Sequence, residues 1–307
     1  MSSNESNLFR EAKKGNLEEV EKLLDIDGIN VNWVNYFGKT PLLEASENGS
    51  IEIVQLLIQN GADVNKENIT QTTPLIQAIY NGHLAIAQIL LDNGADINKA
   101  DNLGRAPIHF ASINGRLAVV ELLLDRGVNV DEINIHGGMT PLDYASNSGN
   151  PQVVELLINR GANVNGLSKM RHTPLLLAIQ GANRKKDTLD IYNYLKVVKI
   201  LLVHGATIND ETIGSAHVNK VVDILQKWPT TMWMLILQDL VVYHLLDTES
   251  FIDLLEYYGP SRKGGMKKRH TIRKTRKTRK TRKTRKTRKT RKTRKTRKRK
   301  TNKNRRN

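Results

Sequence analysis

The side chains best suited to metal ligation or proton transfer are eight histidines: His83, His109, His136, His172, His204, His217, His244 and His270. They are dispersed. No two share a metal-ligand spacing, and the chain has no H-E-x-x-H, no phosphate-binding glycine loop and no nucleophile elbow. There is no cysteine, which removes disulfides, thiolate zinc sites and a thiol nucleophile and suits a reducing compartment. No catalytic centre, metal or cofactor is therefore expected. Where spacing does dictate chemistry is the basic end of the chain. Of 48 Lys and Arg, 28 lie from Arg262 onward with no acid among them, leaving 20 against 31 acids before it. The formal net charge of +17 thus divides into a body of −11 and a tail of +28.

That tail includes Lys267, Lys268, Arg269, Arg273, Lys274, Arg276, Lys277, Arg279 and Lys280, the residues expected to meet nucleic acid or an import receptor, and from Thr275 to Lys298 it repeats Thr-Arg-Lys eight times. With so little apolar surface and such self-repulsion it is expected to be disordered. Cations at this density pair with phosphates by counterion release, which gives salt-dependent binding indifferent to sequence. No Phe, Tyr or Trp follows Tyr258, so base stacking is not available to it. The same runs serve as nuclear import signals, so an import receptor is an alternative partner to nucleic acid. Ten threonines beside basic residues, from Thr271 to Thr301, would each add about −1.5 to −2 of charge if phosphorylated.

The elements that position any site come from a repeat. Thr40-Pro41-Leu42, Thr73-Pro74-Leu75, Ala106-Pro107-Ile108, Thr140-Pro141-Leu142 and Thr173-Pro174-Leu175 recur at steps of 33, 33, 34 and 33 residues. A second set runs in phase: Gly61-Ala62-Asp63-Val64-Asn65, Gly94-Ala95-Asp96-Ile97-Asn98, Gly127-Val128-Asn129-Val130-Asp131, Gly161-Ala162-Asn163-Val164-Asn165 and Gly205-Ala206-Thr207-Ile208-Asn209. A Thr hydroxyl caps a helix whose first residue is Pro, where the missing N–H costs nothing. Leu42, Ala45, Val54, Leu57 and Ile58 are spaced for the inward faces of two short antiparallel helices turning at Asn48-Gly49. Gly61 ends the second helix in the left-handed region. The Asp residues of the Gly-Ala-Asp steps satisfy turn backbone groups. One such unit cannot bury its own apolar side, so neighbours must stack.

This pattern resembles the ankyrin-repeat family over about residues 7–210, and the resemblance implies an all-α solenoid of helix-turn-helix units with hairpin tips. Residues 1–34 are expected to be an N-terminal capping repeat and 35–210 five repeats. The step from Gly161 to Gly205 is 44 residues, so the last repeat carries an insertion, expected as a surface loop near 181–195. His109 fills the histidine slot of the repeat and His83 follows the helix-turn glycine, so both are read as structural. The apolar stretch 232–246 is short and interrupted by Gln238, Asp239 and His244, so no membrane span is expected.

The resemblance also implies a protein partner held on the hairpin tips and the inner helices of a concave face, without catalysis. Carried over slot by slot, the tips supply Tyr36, Phe37, Lys39, Ile69, Thr70, Thr72, Asn102, Leu103, Arg105, His136, Met139, Lys169, Met170 and His172. The inner helices supply Glu47, Tyr80 and Ile113. Tyr36, Phe37 and Tyr80 are the hot-spot candidates, since rings give much contact for little lost freedom. The alternative is that Tyr36 and Phe37 pack on the neighbouring unit. Residues 211–259 read as a helical cap. Within it Trp228-Pro229 followed by Met232, Trp233, Ile236, Leu237 and Leu240 is similar to the start of an F-box, which would bind a ubiquitin-ligase linker. Repeats followed by such a module and a basic tail resemble ankyrin proteins of large DNA viruses, implying a monomer acting in a host cytoplasm or nucleus. Residues 260–307 form the tail.

Overall fold

The computed structural model describes residues 4–184 and 188–207, and these contain twelve helices and no strand. The expected cap at 211–259 and the tail lie outside the described residues. The helices form six consecutive pairs: α1 (Asn4–Lys14) with α2 (Leu17–Leu24), α3 (Pro41–Asn48) with α4 (Ile51–Gln59), α5 (Pro74–Asn81) with α6 (Leu84–Asp92), α7 (Pro107–Ile113) with α8 (Leu117–Asp125), α9 (Pro141–Ser148) with α10 (Pro151–Asn159), and α11 (Pro174–Arg184) with α12 (Thr188–Val203). The first helix of each pair packs on the first helices before and after it, and second helices pack on second helices.

The repeated Thr-Pro steps account for where the first helices start. The hydroxyls of Thr40, Thr73 and Thr173 accept the backbone N–H of Leu43, Ile76 and Leu176 at 3.1, 3.2 and 3.2 Å, with proline following each threonine. Ala106 has no hydroxyl to offer. There the His109 ring turns back instead, its Nδ1 accepting the Ala106 N–H at 2.9 Å. The residue after the proline, Leu42, Leu75, Ile108, Leu142 or Leu175, is fully or almost fully buried in every pair from the second on. Burying such a side chain contributes about 1.5 to 3 kcal/mol, so a line of them along the stack is the core. Ala45, Val54 and Leu57 join it as expected, whereas Ile58 is only half-buried. In the first pair Leu8, Ala12, Val20 and Leu23 are buried, and Phe9 packs edge-on against Trp33 at 5.9 Å.

Successive pairs are joined by a clasp. The backbone leaves α3 and α5 through Gly49 (φ 83°) and Gly82 (φ 86°), a left-handed conformation that leaves the last carbonyls of the helix without intrahelical partners. A side chain from the start of the following pair's second helix reaches back to one of them. His83 Nε2 meets Glu47 O at 3.0 Å, and Arg116 Nη2 donates to Tyr80 O at 3.3 Å. Asn150 Nδ2 donates to both Ser112 O and Ile113 O at 2.9 Å. A Cβ on Gly49 would stand 2.6 Å from the His83 ring, and one on Gly82 2.7 Å from the Arg116 guanidinium. The same residues therefore need glycine for both the turn and the clasp.

The last pair overturns the expected loop at 181–195. The inserted residues lengthen the two helices: α11 runs to Arg184 and α12 begins at Thr188 and spans 16 residues. The physical reason is Tyr194. Its ring is buried, seated between Gly149 and Gly181, where Cβ atoms would come within 2.9 and 2.2 Å of it. Its hydroxyl donates to Asn147 O at 2.8 Å, the clasp position of this step. Gly181, the first residue of the expected loop, lies inside α11 and makes room for a ring.

Two substitutions test this account by urea denaturation. Tyr194→Phe should lower stability by about 1 kcal/mol, the usual worth of one such hydrogen bond. Gly181→Ala should cost more than Tyr194→Phe, because the added methyl displaces the whole ring; a neutral Gly181→Ala would contradict the seating of Tyr194.

Candidate partner-binding face

Five tips precede the first helices of pairs two to six, and each is closed by its own first side chain. Asn35 Oδ1 accepts the N–H of Phe37 and Lys39, Asn68 Oδ1 those of Thr70 and Thr72, and Asp101 Oδ1 those of Leu103 and Arg105, all between 2.8 and 3.0 Å. Tips are also tied to one another by main chain. Ile69 N–H donates to Phe37 O at 3.2 Å, Asn102 N–H to Thr70 O at 3.1 Å and Lys169 N–H to Gly137 O at 3.0 Å. The fourth tip has one more residue, and here the Asn134 side chain replaces the main-chain bond, donating to Leu103 O at 3.3 Å.

With main chain and closing residues carrying the scaffold, the outward side chains are left free of structural work. Tyr36 is 92% exposed, and Phe37, Ile69, Leu103 and Met170 are exposed as well, as is Tyr80 on α5, whose ring also meets Phe110 edge-on at 6.5 Å. Tyr36 and Phe37 pack edge-on against each other at 5.4 Å and remain open to solvent, which decides against their packing into the neighbouring unit. His136 and Asn102 are also exposed. One apolar member escaped the sequence reading: Ile135 is exposed on the fourth tip, in the slot of Ile69. The signal was there in the alternation of Phe37, Ile69, Leu103, Ile135 and Met170, one per tip.

Other expected contact residues are engaged within the protein. Lys39 Nζ pairs with Glu47 at 2.6 Å and Glu44 at 2.9 Å. Burial alone would lower the Lys39 ammonium, but its hydrogen bonds to Glu47 and Glu44 outweigh that and raise it above its ordinary value. Arg105 grips Asp101 Oδ2 at 2.7 Å and lies 4.5 Å over the Phe110 ring. Thr70 and Thr72 share a hydroxyl bond at 3.0 Å, and Lys169 Nζ donates to Ile135 O. Met139 and Ile113 are half-buried, and the His172 N–H donates to Ser168 Oγ at 3.1 Å. The tail residues from Lys267 to Lys280 lie outside the described residues.

Directly beneath the face lie the titratable groups. His109 is fully buried, its Nδ1 accepting from Ala106, so Nε2–H donates to Glu132 O at 2.8 Å. Burial holds it below the usual histidine range, as the structural reading of this residue expects. His83 likewise serves the clasp. In the slot equivalent to His109 the fourth repeat has Asp143. Its Oδ2 accepts from Thr140 N and Oγ1 at 2.9 and 3.1 Å, while buried Oδ1 has no partner. Desolvation pushes its carboxyl up to about 7, with nearby Asp131 adding to the rise against the Thr140 hydrogen bonds. Among the described residues no three His, Cys, Asp or Glu are grouped to hold a metal, and no helix is long and apolar enough to cross a membrane.

Because the folded carboxyl of Asp143 titrates above its unfolded value, folding binds a proton between about pH 4 and 7, and this stabilisation is lost as pH rises through 7. Asp143→Asn keeps the acceptor for Thr140 and removes the charge. Its urea midpoint should exceed that of the parent most at pH 8 and the gap should shrink towards pH 5. A gap independent of pH would show that Asp143 is not held protonated.

A curated relative of the chain is not found at a level that counts as a match. The family described as ankyrin repeats (3 copies) matches residues 8–101, 66–134 and 108–212, which together span the six helix pairs and the tips between them. The chain belongs to the ankyrin-repeat family.

Proposed function

We propose that this protein is a non-enzymatic binding scaffold that holds a protein partner on its tips and the adjoining inner helices. Ankyrin repeats are interaction modules, and the observation that carries the reading for this chain is the row of exposed Tyr36, Phe37, Ile69, Leu103, Ile135 and Met170 on tips fixed by main-chain bonds. Such side chains offer contact area without reorganising the fold. The pair Tyr36 and Phe37 is the anchor, since a few large side chains carry most of the binding energy at an interface and tyrosine is enriched among them. The mechanism is equilibrium association in a host cytoplasm or nucleus by a monomer.

The tail supplies a second attachment, to nucleic acid through its phosphates or to an import receptor. Its 28 cations without an acid support this. A second reading rests on Trp228-Pro229 and the apolar residues after it: residues 211–259 recruit a ubiquitin-ligase linker and the repeats present its substrate. A third makes the tail alone a nucleic-acid condenser.

Full-length protein used as bait in nuclease-treated eukaryotic cell extract separates these. A specific partner should be retained, and Tyr36→Ala with Phe37→Ala should reduce its binding roughly 30-fold or more at unchanged thermal stability. Retention of the same partner by that double variant would remove the tips from the interface. Recovery of a Skp-type linker and cullin would establish the adaptor reading. Deleting residues 262–307 should abolish most salt-sensitive nucleic-acid binding and leave unfolding of the helical body little changed; unchanged binding would end the tail assignment.

A further inference from the structure

Each of the four steps from α3–α4 onward has three places for a fastening, and at one of these steps the first is long and the second is missing. The first fastening is the clasp. At the step from α5–α6 to α7–α8 it is the Arg116 bond to Tyr80 O, at 3.3 Å the longest of the four, and Arg116 Nε is buried with no acceptor. The others measure 3.0 Å at His83, 2.9 Å twice at Asn150 and 2.8 Å at Tyr194. A buried donor without a partner costs more than a bond merely absent.

The second fastening is a carboxamide bridge between the loops that follow the second helices. Asn32 donates to Gly61 O at 3.0 Å and accepts the Asp63 N–H at 2.7 Å; Asn65 does the same with Gly94 and Asp96 at 3.0 and 2.7 Å. Asn165 repeats it with Gly205 and Thr207 at 3.0 and 2.9 Å. At the step from α7–α8 to α9–α10 Asp131 still accepts from Asn163 N, although a carboxylate has no proton to return. Asn98, in the slot that should join α6 to α8, bridges to neither Gly127 nor Asn129. The third fastening, between tips, is intact here, Asn102 N–H to Thr70 O at 3.1 Å. Besides the apolar packing of α5 on α7 and of α6 on α8, the step is spanned by an edge contact of Tyr80 with Phe110 at 6.5 Å and by an ion pair of Arg126 with Asp92 at 2.7 Å. The helix beyond it, α7, is the shortest of the twelve described, and its start lacks the threonine cap.

We infer that the array has a joint between α5–α6 and α7–α8, at which a block from α1 to α6 and a block from α7 to α12 separate before either block unfolds, with ionic strength setting how often. Energies in a repeat array are sums of unit and nearest-neighbour terms, so the weakest neighbour term is where it opens. The joint divides the contact face. Tyr36, Phe37, Ile69 and Tyr80 fall on one side, and Leu103, Ile113, Ile135 and Met170 on the other. A partner that touches both sides closes it, whatever that partner is.

The test is native-state hydrogen exchange by NMR on the full chain, read at three amides that make the same tip-to-tip bond at different steps: Ile69, Asn102 and Lys169. Protection of Asn102, corrected for intrinsic rates, should be about tenfold lower than that of the other two, the scale expected for one or two lost hydrogen bonds. Raising NaCl from about 0.05 M to about 1 M should lower it by about a further two- to fivefold as the Arg126 and Asp92 pair is screened. Arg116→Asn, which gives this step the carboxamide clasp of Asn150, should bring Asn102 to within about twofold of the others. Equal protection at all three amides overturns the joint. So does a weak Asn102 amide that neither salt nor Arg116→Asn moves, because that is fraying of one tip.

Discussion

A single pair of helices in this chain has its apolar side chains on one flank and unpaired carbonyls at the end of its first helix, and it can satisfy neither by itself. Both needs are met by the next pair. Leu42, Leu75, Ile108, Leu142 and Leu175 find cover only in the stack, and the carbonyls of Glu47, Tyr80, Ile113 and Asn147 find donors only in a residue belonging to the neighbour. The constraint is severe because backbone groups withdrawn from water without a partner cost free energy comparable to a lost hydrogen bond. It explains why the glycine that turns the chain is also the place the neighbour enters. Side chains as unlike as imidazole, guanidinium, carboxamide and phenol do the same work there, since all that is required is a polar hydrogen at the right reach.

A division of labour follows. Stability resides in buried helix faces, clasps and the loop carboxamides, whereas the tips hold their shape through main chain and one closing side chain each. Nothing in that scheme depends on what Tyr36, Phe37, Ile69, Leu103 or Met170 are, so the fold does not constrain these positions. Lys39 and Arg105, on the same tips, are used in the opposite way, as ties to Glu47 and Asp101.

The elements themselves were legible from residues whose role is local. Thr-Pro steps named the starts of four first helices, and the glycine steps marked where chains turn, because caps and left-handed turns depend on a few neighbouring residues. What could not be read depends on which distant residue fills a space. Tyr194 lies in a stretch that looks polar, and only its seat against Gly149 and Gly181 shows why α12 is long. Lys39 and Glu47 are both fitting contact residues by slot, and only their 2.6 Å approach shows them to be partners of each other. Asn98 has the same type and spacing as Asn65 yet lacks its bridge, a difference no local pattern records.

The clasp has a direction. In every case the donor lies C-terminal to the carbonyl it satisfies, by 36 residues at His83 and Arg116, 37 and 38 at Asn150 and 47 at Tyr194. On a ribosome the chain emerges from its N-terminal end, so each pair comes out with its first helix still missing a partner that has yet to emerge. Assembly is thereby paced by synthesis, and the longest wait falls on α9, whose partner sits behind the inserted residues.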